Sequence, residues 1–198
     1  MNWHWLVVAG SGLAVLAWSI WGARHDVIPQ WEQRVFGAVN RLPGWLYRIL
    51  WLPMQLGNLV VGTAAGLAVA AWQRELDVAI GVVAAMFLKL VTERFVRREM
   101  AAHLDVRQRP GTSEPDAVLR GDVPATGASF PSGHVILVAA VACLVTPIVP
   151  VGWSWLPFVL TFLVMFGRVY VGAHNPLDTT AGLGAGLLLG GVLSAIFF

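Results

Sequence analysis

Two short stretches of this 198-residue chain carry residue types suited to chemistry. One is Phe130-Pro131-Ser132-Gly133-His134. The other, one apolar run later, is Arg168-Val169-Tyr170-Val171-Gly172-Ala173-His174-Asn175-Pro176-Leu177-Asp178. Each sets a histidine at the border of a long hydrophobic run, and the second adds a guanidinium and a carboxylate. Titrating groups at a membrane boundary are costly and mark function. Together they supply a nucleophile, an acid and cations, which is what cleavage of a phosphate ester without a metal requires.

The local sequence suggests how each part works. Pro131 precedes a serine placed to cap a helix, and the first turn of that helix offers free amide donors and a positive dipole end, an anion site. Gly133 lets the backbone approach a phosphate closely, and His134 lies in the same turn. In the second stretch, Asn175-Pro176 starts a helix, with proline at a tolerated early position. Asp178, four residues after His174, is placed to hold one ring nitrogen and leave the other free as a nucleophile. Arg168 suits a two-pronged contact with phosphate.

These groups must be positioned by membrane helices. The chain is 57% hydrophobic and 12% charged, far too apolar for a soluble domain of this size. Its apolar runs reach the roughly 20 residues a helix needs to cross a bilayer, and the alternation of a membrane barrel is absent. The expected class is an all-α, polytopic integral membrane protein with six spans, near residues 4–22, 51–72, 76–97, 132–149, 153–172 and 176–198. Trp3, Trp5, Trp21, Trp51, Trp72, Trp153 and Trp155 fall near the span ends, where indole favours the interface. The first basic residue is Arg24, after the first run, so no cleavable leader is expected. Basic residues at span ends and in one loop leave no nucleic-acid footprint. The single cysteine, Cys143, excludes an intrachain disulfide and reads as a small buried hydrophobe.

Between the first two spans, residues 24–50 read as an interfacial amphipathic segment. Trp31, Val35, Phe36, Val39 and Leu42 form its apolar side, and Glu32, Arg34 and Arg41 form a solvated one. Pro43-Gly44 should break it. Residues 98–130 form the one long polar loop, expected to serve the site it leads into. In the sixth span Gly182, Gly186 and Gly190 share a face suited to close helix packing, either inside the subunit or in a homodimer.

The two stretches resemble the second and third signature motifs of the type 2 phosphatidic acid phosphatase (PAP2) superfamily, in its membrane lipid-phosphatase branch. The motif-bearing catalytic region covers about residues 89–178, and the six-span layout is similar as well. The resemblance implies a metal-independent, cofactor-free lipid phosphatase. His174 would attack phosphorus to give a phosphohistidine, oriented by Asp178. His134 would protonate the leaving oxygen, and Arg168, Ser132 and the Gly133 amide would hold the phosphoryl oxygens. Polyprenyl pyrophosphate, phosphatidate and phosphatidylglycerol phosphate are the implied substrates.

Two positions depart from the pattern. Gly167 stands where a serine usually precedes the arginine. The first motif, a lysine six residues before Arg-Pro, has Arg109-Pro110 but Ala102 at the lysine position. Arg98, eleven residues before Arg109, keeps the same helical face at one extra turn and is the candidate replacement, whereas Lys89 and Arg94 fall off that face. The gap motivates an alternative: a catalytically silent member that binds or moves phospholipid. An intramembrane protease using Ser132 is disfavoured, because Ser132 and His134 are too close in sequence to form a nucleophile–base pair. Multi-pass insertion in the cell membrane is expected. The arginine distribution puts the active-site face in the cytoplasm by the positive-inside rule, while many family members work on the outer face.

Overall fold

The structure, a computed structural model, describes residues 3–24, 27–103 and 107–198, without the side chains of residues 100–103. Small parts of the two polar stretches, at 25–26 and 104–106, lie outside the described residues, as does the Ala102 side chain. Among the described residues the architecture is all-helical: α1 (Trp3–Gly22), α2 (Gln30–Asn40), α3 (Leu46–Gln55), α4 (Leu59–Gln73), α5 (Leu76–His103), α6 (Pro110–Ser113), α7 (Gly133–Val145), α8 (Leu156–Tyr170) and α9 (Pro176–Phe197).

By length and composition, Trp3–Gly22, Val151–Tyr170 and Pro176–Phe197 are able to cross a membrane. The expected second span is not one rod. It divides into α3 and α4, which meet at 65°. The break is written locally: Asn58 caps α4, its side-chain oxygen accepting from the N–H groups of Val60 and Val61 at 3.0 and 3.3 Å, and Gly57 precedes it. A Cβ on Gly57 would sit 2.6 Å from Cβ of His134, so the kink lets the chain pass against the candidate site. Counted as one, the pair brings the number of able spans to four. Two of the expected six fail the same measure: α5 because it carries charge along its second half, and the apolar helix Gly133–Ile148 because it is short.

α9 is the central helix, packed between α1 and α7. Close approach explains its glycines. A Cβ on Gly186 would lie 2.6 Å from the Ile136 carbonyl oxygen, one on Gly190 2.8 Å from that of Ala140, and one on Gly182 2.6 Å from that of Ser132. The stripe is thus filled by α7, which is the packing inside the subunit that the spacing allowed. Gly186→Val should lower the melting temperature in detergent, at a cost of about 1–3 kcal/mol from overpacking, because the obstacle is backbone and cannot rotate away. Unchanged thermal unfolding would show that α7 and α9 part more easily than this spacing implies.

The interfacial segment also differs from its reading. Glu32, Phe36 and Asn40, spaced one turn apart on α2, are all buried, while Trp31 and Val35 are 47% and 45% exposed. Arg34 and Arg41 are exposed, as a solvated face requires. Asn40 locks α2 to the polar loop. Its Nδ2 donates to the Val118 and Tyr170 carbonyls at 2.9 and 3.0 Å, and its Oδ1 accepts from the Val118 N–H at 2.8 Å. Arg120 adds a hydrogen bond to the Tyr170 carbonyl, 2.8 Å, and lies 4.2 Å above the Tyr170 ring. The long loop is therefore pinned to α2 and to the end of α8.

Candidate active site

Two backbone segments bring the loop arginines to the helix ends. Gln108 and Ala128 form an antiparallel bridge, flanked by Arg109 N–H to Gly127 O and Ser129 N–H to Arg107 O, each 3.0 Å. In such extended chain, neighbouring side chains alternate, so Arg107 and Arg109, two apart, share a side. Arg107 turns inward and is fully buried. Arg109 is partly buried, and its Nη1 donates to the Ala173 carbonyl at 3.1 Å. Pro110 then starts the single turn α6, at a position where its missing N–H costs nothing.

At the start of α7, Ser132 occupies the N-cap but makes no side-chain cap bond, in contrast to the expected capping role. Its Oγ is buried without a partner, and its N–H donates to the Asp178 carbonyl at 3.0 Å. That bond ties the start of α7 to the start of α9. Gly133 follows at the first helical position, where amide donors have no partner within the helix. His134, half-buried, lies within electrostatic reach of Arg168, His174, Lys89 and Arg109. The structure thus gathers both histidines, Arg109, Arg168, Ser132 and Gly133 around one site.

His174 sits between α8 and α9, almost fully buried. Its Nδ1 is 3.8 Å from Asp178 Oδ2, an ionic contact beyond hydrogen-bond length. Oδ2 accepts instead from the Asn175 N–H at 2.8 Å, as an acidic residue at this helix position does. Burial first, then the charges of Arg168 and Arg109, pull the His174 ring down to about 4, against the opposing pull of Asp178. The ring is therefore neutral at pH 7. Arg168 ends α8 with its Nε buried and unpartnered. Burial also lowers Arg109, with the nearby Arg97 adding to the effect. Gly167, where a serine was expected, packs on α3, since a Cβ there would lie 2.6 Å from Met54 Cγ.

The structure does not bring Arg98 to this cluster. Arg98 is exposed, and Arg97, the next residue, faces inward, bonding Glu93 at 2.6 Å. Lys89 bonds the same carboxylate at 2.7 Å, and its Cε would lie 2.9 Å from a Cβ on Gly133. Lys89 is the chain's single lysine and is 13% exposed. Glu93 touches the same glycine position. Lys89, Glu93 and Arg97 are thus site-facing residues that helical register alone did not identify.

A second group lies behind Asp178. Arg107 Nη2 is 2.8 Å from Glu32 Oε1, and Arg107 Nε is 3.6 Å from Asp178 Oδ1. Glu32 Oε1 also accepts from the Leu177 N–H at 2.8 Å. Burial pushes the Glu32 carboxyl above its usual range, opposed by Arg107 and the Leu177 amide. Glu114 is raised too, by burial and by Glu32.

On the membrane side, an apolar cavity of about 190 Å³ runs between α4, α7 and α8, from Leu56 past Gly66 and Val141 to Trp153. Its Leu56 end adjoins Gly57, the residue pressed against His134.

A family model described as the PAP2 superfamily matches residues 76–198. Among characterised relatives, the bacitracin transport permease protein BcrC of Bacillus licheniformis is 44% identical over 70 residues, 35% of this chain and 31% of that protein. An undecaprenyl-diphosphatase of Sulfolobus acidocaldarius is 43% identical over 58 residues, 29% of this chain and 28% of that protein. The matched segment therefore spans about three-tenths of these relatives. Two solved structures share the fold. Aquifex aeolicus LpxE has a TM-score of 0.67 and 21% identity over 83% of this chain and 92% of its own. The first transmembrane PAP2-type phosphatidylglycerolphosphate phosphatase from Bacillus subtilis has a TM-score of 0.70 and 18% identity, over 94% of this chain and 95% of its own.

Proposed function

The chain belongs to the PAP2 superfamily, and from that premise we propose that it is an integral membrane phosphatase that removes a phosphoryl group from a lipid phosphate or diphosphate. One observation carries the reading. Ser132 Oγ and Arg168 Nε are buried without partners beside two imidazoles, and a buried polar atom left unsatisfied costs about 1–3 kcal/mol. A phosphoryl group supplies the acceptor for Arg168 and a partner for the hydroxyl.

The chemistry follows from the placement. His174 is neutral, and its Nε2 points away from Asp178, so it is the atom that forms the N–P bond. The P–O bond to the lipid breaks, and His134 gives its proton to the departing oxygen. Water, deprotonated by His134, then attacks the phosphohistidine and releases phosphate. The 3.8 Å gap from Nδ1 to Asp178 shortens when positive charge develops on the ring, as catalytic contacts in empty sites do. Arg168, Arg109 and Lys89 hold the phosphoryl oxygens, where fixed cations stabilise the transition state directly. The apolar cavity beside His134 suits the first part of a lipid tail.

Lys89 also answers the gap at Ala102 that motivated a silent, lipid-binding alternative. Its stem lies against Gly133, so a cation reaches the phosphate from the middle of α5 and not from its end. Lys89→Ala should reduce kcat/KM by about 10²-fold, the scale of losing one transition-state donor, with Lys89→Arg recovering most of it. Equal activity in the alanine variant would remove Lys89 from the site.

The reading is tested with purified protein in mixed micelles, by phosphate release from polyprenyl diphosphate, phosphatidate and phosphatidylglycerol phosphate. Turnover is expected to persist in EDTA, since the charges are carried by arginine and lysine. Binding of these lipids without phosphate release would favour the silent alternative, and loss of turnover in chelator would overturn metal independence. Protease protection of an exposed tag at Asp122, in cells, assigns the membrane and the face on which the site opens.

A further inference from the structure

The pair Glu32–Arg107 touches no position where a phosphoryl group would sit, yet both side chains are fully buried. Stability does not account for it. Taking two charges out of water costs several kcal/mol per ion, and apolar residues of similar volume often replace such a pair without loss. Glu32 also comes from α2, whose other charged residue, Arg34, is exposed, as is Arg41 just after the helix. What the pair reaches is specific: Glu32 Oε1 takes the Leu177 N–H at the start of α9, and Arg107 Nε faces Asp178 Oδ1 at 3.6 Å. The other oxygen of Asp178 is fixed by the Asn175 N–H and faces His174.

We propose that Glu32 and Arg107 are positioning residues: Glu32 aims the buried guanidinium at Asp178 Oδ1, and the guanidinium holds that carboxylate so that Oδ2 is presented to His174. The inference rests on His174 and Asp178 being the reacting pair. The charged groups around them come from every packed element: Glu32 from α2, Lys89, Glu93 and Arg97 from α5, Arg107, Arg109 and Glu114 from the polar loop, Arg168 from α8, and His134 from α7. Within this set, Arg107 is the partner that balances Asp178, and Glu32 in turn balances Arg107.

That order of balance gives signs that a merely structural role would not. Glu32→Gln is isosteric and keeps an acceptor for Leu177. It leaves Arg107 less compensated, so the His174 imidazolium is disfavoured and its titration midpoint falls below the wild-type value. The double variant Glu32→Gln/Arg107→Met removes the cation together with the Glu32 charge that balances it. Asp178 then acts on His174 unopposed, and the midpoint rises by about half a pH unit or more. Histidine-selective ¹⁵N NMR in detergent micelles reads both, with His174→Asn assigning the resonance. The double variant should also lose about 10-fold in kcat with KM little changed, the scale of losing a supporting contact.

Opposite shifts in the two variants support the assignment. Unchanged midpoints, or shifts of one sign in both, overturn it. The NMR readout needs no turnover, so it separates the two ideas. Opposite shifts in a protein that releases no phosphate would leave the positioning intact and remove the phosphatase reading. Turnover in the wild type without the shifts would do the reverse.

Discussion

His174→Ala is expected to abolish phosphate release, with a loss of about 10⁴-fold or more in kcat, the scale found when a covalent nucleophile is removed from an otherwise intact site. His174 is buried in the turn between α8 and α9, and the charges of Arg168, Arg109 and Asp178 all act on its ring. Among the described residues, no other imidazole there has a carboxylate behind it. Rapid quench with radiolabelled lipid phosphate, held at alkaline pH, should trap one phosphoryl group per active chain on His174, and none in the alanine variant. Label recovered on another residue would reassign the nucleophile. The ring's state also fixes a pH dependence. Burial holds it at about 4, and protonation blocks attack, so the rate of phosphorylation should stay level as pH falls from 7 through 5. It should drop only as pH passes about 4. A drop centred near the ordinary imidazole value of 6.5 would mean that the ring is not held in the dry environment described here.

The groups proposed to react stand out in the sequence because their signal is local. Ser132-Gly133-His134 and His174 to Asp178 each fit within two helical turns, and the apolar runs beside them mark both as helix-end segments. The supporting residues carry no such signal. Glu32 looks like part of a solvated face because α2 is short and its apolar residues suffice to seat it. Its burial depends on Arg107 and on Leu177, far along the chain, and no periodicity within 24–50 encodes those partners. Arg98 was a matter of register. An eleven-residue interval keeps a face only while the helix continues, and α5 ends at His103, before Arg109. Around Arg109 the chain pairs as extended strand with Gly127 to Ser129, so counting turns no longer relates the two residues. The same count set Lys89 aside, although it stands one turn from Glu93 and both face Gly133. The break between α3 and α4 was partly legible: Asn58 before an apolar run is a helix start, but the continuous hydrophobicity of residues 51–72 masked it.

His134→Ala should produce a defect whose size depends on what departs. As a general acid, His134 contributes most when the leaving oxygen belongs to an alcohol, which cannot leave as an unprotonated alkoxide, and a loss of about 10²–10⁴-fold is expected on a lipid phosphomonoester. When the terminal phosphoryl group of a diphosphate is attacked, the leaving group is itself a phosphate, already stable as an anion, and the loss in phosphorylation should shrink. With p-nitrophenyl phosphate it should nearly vanish. The second half-reaction behaves differently. His134 must then take a proton from water, whatever the first leaving group was, so the variant should phosphorylate fast and hydrolyse slowly on activated substrates. A burst of p-nitrophenolate equal to the enzyme present, followed by a slow steady state, is the expected trace. A uniform defect across the three substrates, with no burst, would make His134 a phosphate-binding group and move the acid elsewhere. If the graded pattern holds, the ratio of the defects on lipid monophosphate and lipid diphosphate also reports which substrate needs the proton. His134 packs on Gly57, and the adjacent Leu56 lines the apolar cavity, so a tail seated in that cavity should make the ratio depend on the lipid's length.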